Sequence, residues 1–327
     1  MRDVVDWIEG RRARGERVAL ATVVATRRSA PRPVGAKLAV SESGELFGSV
    51  SGGCVESDVA VQAAEVIAGA APRLLSYGIA DEQAWEVGLP CGGEIDVFVQ
   101  RLEDELPDPD EPAVALTVLD GERAGERRVV EPGVIGEGPS RVLELDGERV
   151  FAEVLGPPPR LIVFGAVDTA EALCRAAGLI GWRTVVVDAR PGLATEERLP
   201  SAAEVLVAWP EEALQRLQPD GDTAVIVLSH EDRFDIPALK GALESDAFYV
   251  GALGSRRNQA RRRERLLEEG VPEERIDRIA GPSGLDIGAE SPAETALSIL
   301  AEILAVRAGR AGGPLKEAKG RIHAAVD

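Results

Sequence analysis

Four consecutive residues, Gly156-Pro157-Pro158-Pro159, interrupt the chain more sharply than any other stretch. Each proline fixes its own φ and removes a hydrogen-bond donor, so neither a helix nor a central strand runs through them. The stretch reads as an interdomain linker. The sequence after the linker constrains the fold most. Short apolar runs at Leu161 to Phe164, Thr184 to Val187, Glu204 to Ala208, Thr223 to Leu228 and Phe248 to Val250 are mostly separated by helical patterns. Strands that are apolar on both faces belong to a parallel sheet covered by helices on both sides. The expected fold class is therefore α/β. Residues 156–327 form a Rossmann-like domain with a parallel sheet of five or more strands, and residues 1–155 a mixed α/β domain that carries cysteines.

The N-terminal half opens with an amphipathic helix over residues 1–14, with Val4, Val5, Trp7 and Ile8 as its buried side. A buried strand runs from Arg17 to Thr26. Arg27, Arg28, Arg32 and Lys37 then share a stiff loop with Pro31, Pro33 and Gly35. It reads either as a solvated turn or as an anion-binding lip. Lys37 to Val50 has the pattern of a hairpin around Ser41-Glu42-Ser43-Gly44.

Two cysteine loops come next. Phe47-Gly48-Ser49-Val50-Ser51-Gly52-Gly53-Cys54-Val55-Glu56 runs through two glycines into a helix whose apolar side holds Val55, Val59, Val66 and Ile67. Leu89-Pro90-Cys91-Gly92-Gly93-Glu94 sets Cys91 against two glycines, before the strand pattern Ile95 to Val99. A free cysteine is ordinarily a small buried hydrophobe, and Cys174, inside Ala172-Leu173-Cys174-Arg175-Ala176, reads that way. Glycine pairs instead let the backbone take positive φ and let a ligand come close. Cys54 is expected at or near a helix N-terminus, where unpaired N–H groups and the dipole favour a thiolate. Cys54 and Cys91 are the candidate functional cysteines.

Composition removes several function classes. With a net charge of −19 over 327 residues, the chain lacks the basic surface that nucleic acid or an anionic membrane requires. No apolar run reaches bilayer-spanning length, and the charged N-terminal stretch has no signal-peptide core. Three cysteines in non-framework spacing fit a reducing cytoplasm. Cys54 and Cys91 lie too far apart in sequence for a CxxC site. The two histidines, His230 and His323, exclude a multi-histidine metal site and leave only His230 for a Ser-His-Asp triad. Residues 101–155 are acidic and turn-rich, with short strands and no evident chemistry.

In the second half, Gly165-Ala166-Val167-Asp168-Thr169-Ala170 comes after the first strand, and Asp188 ends the second. This is the layout of a dinucleotide fold, with Asp188 where a carboxylate bonds a ribose hydroxyl. Val167 occupies the second glycine position, where the backbone must approach a pyrophosphate, so NAD(P) binding by this turn is disfavoured. Gly254, Ser255, Arg256 and Arg257 open a long basic helix and suit a phosphate. The plain alternative is a capped helix with solvated arginines. A second glycine loop, Gly281 to Gly288, precedes a helix that starts with the capping box Ser291-Pro292-Ala293-Glu294.

Four segments together resemble the signature segments of the XdhC/CoxI family, accessory proteins of molybdenum hydroxylases such as xanthine dehydrogenase. They are Ser51-Gly52-Gly53-Cys54-Val55-Glu56, Gly88-Leu89-Pro90-Cys91-Gly92-Gly93, Tyr249-Val250-Gly251-Ala252-Leu253-Gly254-Ser255-Arg256-Arg257 and Gly284-Leu285-Asp286-Ile287-Gly288. Similarity runs through nearly the whole chain, weakest in residues 101–155 and the tail. The resemblance implies a cysteine-bearing domain before a Rossmann-like one. It implies a protein that is not itself an enzyme. Such a protein binds molybdenum cofactor (molybdopterin or its dinucleotide form), supports its sulfuration and delivers it to a molybdenum hydroxylase apoenzyme. A cysteine desulfurase is the implied second partner and a homodimer the implied assembly.

On that resemblance Cys54 and Cys91, beside Gly52, Gly53, Gly92 and Gly93, are soft metal ligands or sulfur relays. Gly165, Asp188, Gly254, Ser255, Arg256 and Arg257 take the phosphate or nucleotide part. Many members carry His where Asp168 stands. Two other readings are open: an NAD(P)-dependent oxidoreductase built on the α/β half, and a non-catalytic nucleotide-sensing module in which the cysteines are incidental.

Overall fold

The computed structural model describes residues 2–28, 30–78, 93–136 and 138–318. The chain divides into two compact units. One is Met1–Pro157 with Leu315–Asp327, the other Pro158–Pro314.

The first unit begins with helix α1 (Arg2–Arg12) and contains two antiparallel sheets. The larger comprises β1 (Val18–Arg27), β2 (Lys37–Ser41), β3 (Leu46–Gly48), β4 (Arg73–Tyr77) and β5 (Glu94–Arg101), ordered β3-β2-β1-β5-β4. Its central strand is buried on both faces. Ala19, Ala21 and Val23 pack against Val59, Ala63, Val66 and Ile67 of helix α2 (Glu56–Ile67). On the other face Val18 and Leu20 meet Ile8 of α1, while Val24 and Phe98 meet Leu119 and Phe151. The expected hairpin is present, with Leu38 opposite Gly48. Trp7, expected in the buried side of α1, stacks on Phe47 at 5.8 Å between ring centroids.

The short strands expected in residues 101–155 are present and pair into a sheet. β6 (Ala113–Val118), β7 (Arg127–Val130), β8 (Arg141–Leu145) and β9 (Glu148–Leu155) form a second sheet, ordered β7-β6-β9-β8. Asp146 and Gly147 both take positive φ between β8 and β9, as a tight two-residue hairpin turn requires. The basic loop after β1 is not an open anion lip. Arg27 pairs with Asp96 at 3.1 Å, Arg28 with Glu94 at 3.6 Å, and buried Lys37 with Glu153 at 2.5 Å. Among the described residues Arg32 alone of the four keeps no ion pair.

The second unit is a Rossmann-like, doubly wound domain. β10 (Arg160–Phe164), β11 (Arg183–Asp188), β12 (Glu204–Val207), β13 (Thr223–Val227), β14 (Tyr249–Ala252) and β15 (Ile279–Ala280) form one parallel sheet, ordered β12-β11-β10-β13-β14-β15. The apolar runs of the sequence supply the first five strands, and the two-residue β15 adds a sixth. Alternate residues divide between two cores, as a pleated strand dictates. Leu161 and Val163 face helices α3 (Asp168–Leu179) and α8 (Pro292–Arg307). Ile162 and Phe164 face α4 (Pro210–Leu217), α5 (Asp232–Glu244) and α6 (Arg256–Glu268). A short α7 (Glu273–Ile276) leads into β15. The strand order reverses between β10 and β13, so the loops after these strands bound the crevice where such sheets bind ligands. No helix among the described residues is long and apolar enough to cross a membrane.

A buried ion pair fixes the crevice loops. Arg262 of α6 is 2% exposed, and its guanidinium meets Asp235 of α5, which is fully buried, at 2.6 Å. The same guanidinium donates to the carbonyls of Leu253 (2.6 Å) and Ser229 (2.8 Å), and the Ser229 hydroxyl donates to Asp235. Two helices and the loops after β13 and β14 are thus tied through one pair. Removing one partner strands the other charge in the core. Asp235→Ala or Arg262→Met alone is expected to cost about 3–5 kcal/mol in urea unfolding, and the double variant Asp235→Leu, Arg262→Met distinctly less than the sum.

Candidate functional site

The segment Ser49 to Glu56 joins β3 to α2. Gly52 (φ +75) and Gly53 (φ +113) both take the positive φ that the sequence pattern anticipates. A Cβ on either would meet nothing within 4 Å, so the space above the glycine pair is open. Cys54 lies two residues before the first residue of α2 and is exposed.

The loop is wired from within, by side chains that sequence reasoning passed over. The Glu56 carboxylate turns back across it. It accepts from the N–H groups of Ser51 (2.9 Å), Gly53 (2.8 Å), Val50 and Val55 (both 3.2 Å), and from the hydroxyls of Ser49 (2.7 Å) and Ser51. The Ser51 hydroxyl oxygen in turn accepts from the N–H groups of Cys54 and Val55, both at 2.9 Å. The Ser49 hydroxyl takes the Gly52 N–H at 2.8 Å, and the Ser49 N–H reaches the Lys37 carbonyl. Every backbone N–H from Ser49 to Val55 therefore has a partner. The N–H groups of Cys54 and Val55, which lead into α2, are held by Ser51 and Glu56, while α2 itself has no side-chain cap. Nothing local in the sequence signals this, since Glu56 is the first residue of α2 and not the third of its first turn, where a capping-box acid would stand.

The other candidate residues fall differently. Cys91 and Gly92 lie outside the described residues, and Gly93 is the residue before β5. Cys174 is fully buried in α3, and burial pushes its thiol up to about 11, as befits a core cysteine. At the Rossmann turn, Gly165 has φ +115 and a Cβ there would come within 3.0 Å of the Ser229 nitrogen. Asp188 is 2% exposed and already engaged. It accepts from the Ala166 N–H at 2.9 Å and from the Arg190 N–H (3.0 Å), Nε (2.9 Å) and Nη2 (2.7 Å). Burial opposes its charge, but the Arg190 and Ala166 bonds outweigh that and hold the carboxyl below its usual range. Asp188 thus clamps the Gly165 turn from inside.

The start of α6 is more open. Ser255 caps it by accepting from the Asn258 N–H, and Arg256 and Arg257 are exposed with no ion pair among the described residues. His230 is exposed, and its neighbour Ser229 donates to Asp235, so the pair forms no triad. Gly284, in the second glycine loop, donates its N–H to Glu302 of α8 at 2.9 Å, and Glu302 also accepts from the Tyr249 hydroxyl. Among the described residues no cluster of three or more His, Cys, Asp or Glu is placed to hold a metal ion.

Comparison with known proteins agrees with this two-part layout. The chain is 31% identical over 317 residues to a protein of Bacillus subtilis (strain 168) named as a probable xanthine dehydrogenase subunit, covering 89% of this chain and 94% of the relative. The family model "XdhC and CoxI family" matches residues 11–78, and "XdhC Rossmann domain" matches residues 161–303. The chain belongs to the XdhC and CoxI family. It is also 32% identical over 300 residues to the molybdenum cofactor insertion chaperone PaoD of Escherichia coli (strain K12), covering 90% of this chain and 84% of that one. A solved structure from Bacillus halodurans, described as a xanthine dehydrogenase, superposes with a TM-score of 0.76 at 26% identity, over 96% of this chain and 97% of the other. Within the XdhC and CoxI match lie the Cys54 loop and the Glu56 hub. The XdhC Rossmann match contains Gly165, Asp188 and the α6 start.

The Glu56 hub carries a pH signature. Burial raises the cost of its charge, yet the Ser49 and Ser51 hydroxyls and the loop N–H groups hold the carboxyl at about 2, against an ordinary 4.5. A lowered folded-state value contributes stability that is complete above about pH 4.5 and fades as the pH falls toward 2. Glu56→Gln should therefore be less stable than the wild type near neutrality, with the gap narrowing as urea titrations are repeated from about pH 6 down to about pH 2.5. A gap that stays constant over that range contradicts the hub.

Proposed function

We propose that this protein binds molybdenum cofactor and hands it to a molybdenum hydroxylase apoenzyme, without turning over a substrate itself. The observation that carries the reading is the Cys54 loop. A thiol stands exposed on backbone whose every N–H is satisfied, beside two glycines with open space above them. Such a loop offers a ligand little but a soft sulfur and room for a flat group to lie close. A thiolate suits a molybdenum–sulfur centre. Likeness to PaoD, named as an insertion chaperone, supports the same reading.

In this proposal Cys54 is a soft ligand or a sulfur relay, and Cys91, beside Gly92 and Gly93, is its partner thiol. Within the second unit, and independently of the cysteine loop, Gly254, Ser255, Arg256 and Arg257 form a phosphate-binding site, since the first N–H groups of a helix and two guanidinium groups without an ion pair among the described residues both favour an anion. Asp188 and Gly165 shape the crevice rather than contact the nucleotide, because the carboxylate is already spent on Ala166 and Arg190. The same occupation tells against the NAD(P)-dependent oxidoreductase. The cofactor is molybdopterin or its dinucleotide form, which differs by one added nucleotide. Support of sulfuration by a cysteine desulfurase, a homodimeric assembly and a cytoplasmic site of action complete the proposal.

The test is anaerobic reconstitution of a xanthine dehydrogenase-type apoenzyme. Cys54→Ser should lower activation on the order of tenfold or more, since about 1.4 kcal/mol of lost ligand binding is already a factor of ten. Its melting temperature should stay that of the wild type, because the Cys54 side chain takes no part in the loop's hydrogen bonds. Full activation by the Cys54→Ser, Cys91→Ser double variant would overturn the reading and favour the nucleotide-sensing alternative.

A further inference from the structure

Between the sheets of the first unit lies a cavity of about 330 Å³ that the proposed function does not use, lined in part by Gln100, Arg101, Leu102, Asp104, Gly125 and Arg127. Arg127 opens β7, opposite Thr117 of β6. Its guanidinium is placed by Gln100, a β5 side chain only 5% exposed. With the Gln100 amide oriented to satisfy both its ends, its oxygen accepts from Arg127 Nη2 at 2.7 Å and its nitrogen donates to the Gly125 carbonyl at 3.1 Å. Arg127 has no ion pair among the described residues.

A second guanidinium stands close by. Arg12 of α1 donates to the carbonyls of Asp104 and Leu102, both at 2.9 Å, and also lacks a carboxylate partner among the described residues. The other acids nearby are committed elsewhere: Glu103 to Arg101, Glu126 to Arg123, and Glu153 to Lys37. Asp104, which has no ion pair among the described residues, and the already engaged Glu153 are what act against the two cations. Burial and the repulsion from Arg12 lower the pull of Arg127 on its proton, and Glu153 and Asp104 only partly offset this. Arg127 is half-buried, and a cation partly withdrawn from water, held in place and short of counter-charge gains from an anion that joins it.

We propose that this cavity binds a small oxyanion, held bidentately by Arg127 with Arg12 adding long-range attraction. A guanidinium fork matches phosphate and carboxylate alike, and the volume suffices for either or for a small ester of phosphate. The site belongs to the first unit alone and does not depend on the proposed cofactor role.

Calorimetry on the full chain at fixed ionic strength tests it, with inorganic phosphate and acetate as separate probes. An Arg256→Ala, Arg257→Ala background removes the phosphate site proposed in the second unit. Saturable binding of one probe in that background is expected, with phosphate or acetate identifying the source. Arg127→Gln should weaken it about tenfold, the usual worth of a charge-assisted hydrogen bond. Asp104→Asn should tighten it by removing the competing carboxylate. No saturable binding of either probe, or equal binding by Arg127→Gln, overturns the proposal. Should Arg127→Gln fail to fold, Asp104→Asn decides, and unchanged affinity there overturns it too. Loss of all phosphate binding already in the background variant assigns that binding to the second unit and counts against this cavity.

Discussion

A peptide N–H that leaves water must find an acceptor, and in this protein single carboxylates supply it at the loops that matter. Glu56 takes four backbone N–H groups and two hydroxyls at the cysteine loop. Asp188 takes Ala166 and Arg190 at the Rossmann turn. Glu302 takes Gly284 and Tyr249. Asp235 fixes the loops after β13 and β14 through Ser229 and Arg262. Each of these segments is therefore pinned at one point, and its conformation is set before any ligand arrives.

That constraint decides what kind of recognition each unit can offer. From Ser49 to Val55 every N–H has a partner, and the sulfur of Cys54 stands exposed. The head of α6 carries cations instead. Ser255 satisfies one donor, the rest of the first turn is open as at any helix start, and Arg256 and Arg257 add charge. Each unit thus offers its own kind of contact. In the proposed reading the soft donor of the first takes a metal–sulfur centre, and the helix start of the second takes a phosphate.

Much of the fold was legible because it rests on periodicity. The apolar runs between Leu161 and Val250 became parallel strands, and Ser291 and Glu294 formed the capping box that opens α8. The positive φ of Gly52 and Gly53 was legible too, since little but a turn explains such a pair. What escaped was pairing. Glu56 reads in sequence as one more acid at a helix start, and nothing local says that it folds back. Arg262 hides in a run of arginines of which Arg261 and Arg265 are exposed. Its one mark is that it sits four residues before buried Leu266, on the same helical face. The cations after β1 looked like a lip because a sequence shows charge without showing that Asp96, Glu94 and Glu153 come across from other strands. The short strands of residues 101–155 were legible from their turn signals, but their order in one sheet was not, since strand pairing is not local.

Cofactor binding is read most directly by native mass spectrometry of the protein purified anaerobically from cells making molybdenum cofactor. The predicted result is a bound pterin on the wild type, lost or greatly reduced in Cys54→Ser. Recovery of the protein with no pterin, or with a nicotinamide dinucleotide in its place, would contradict it.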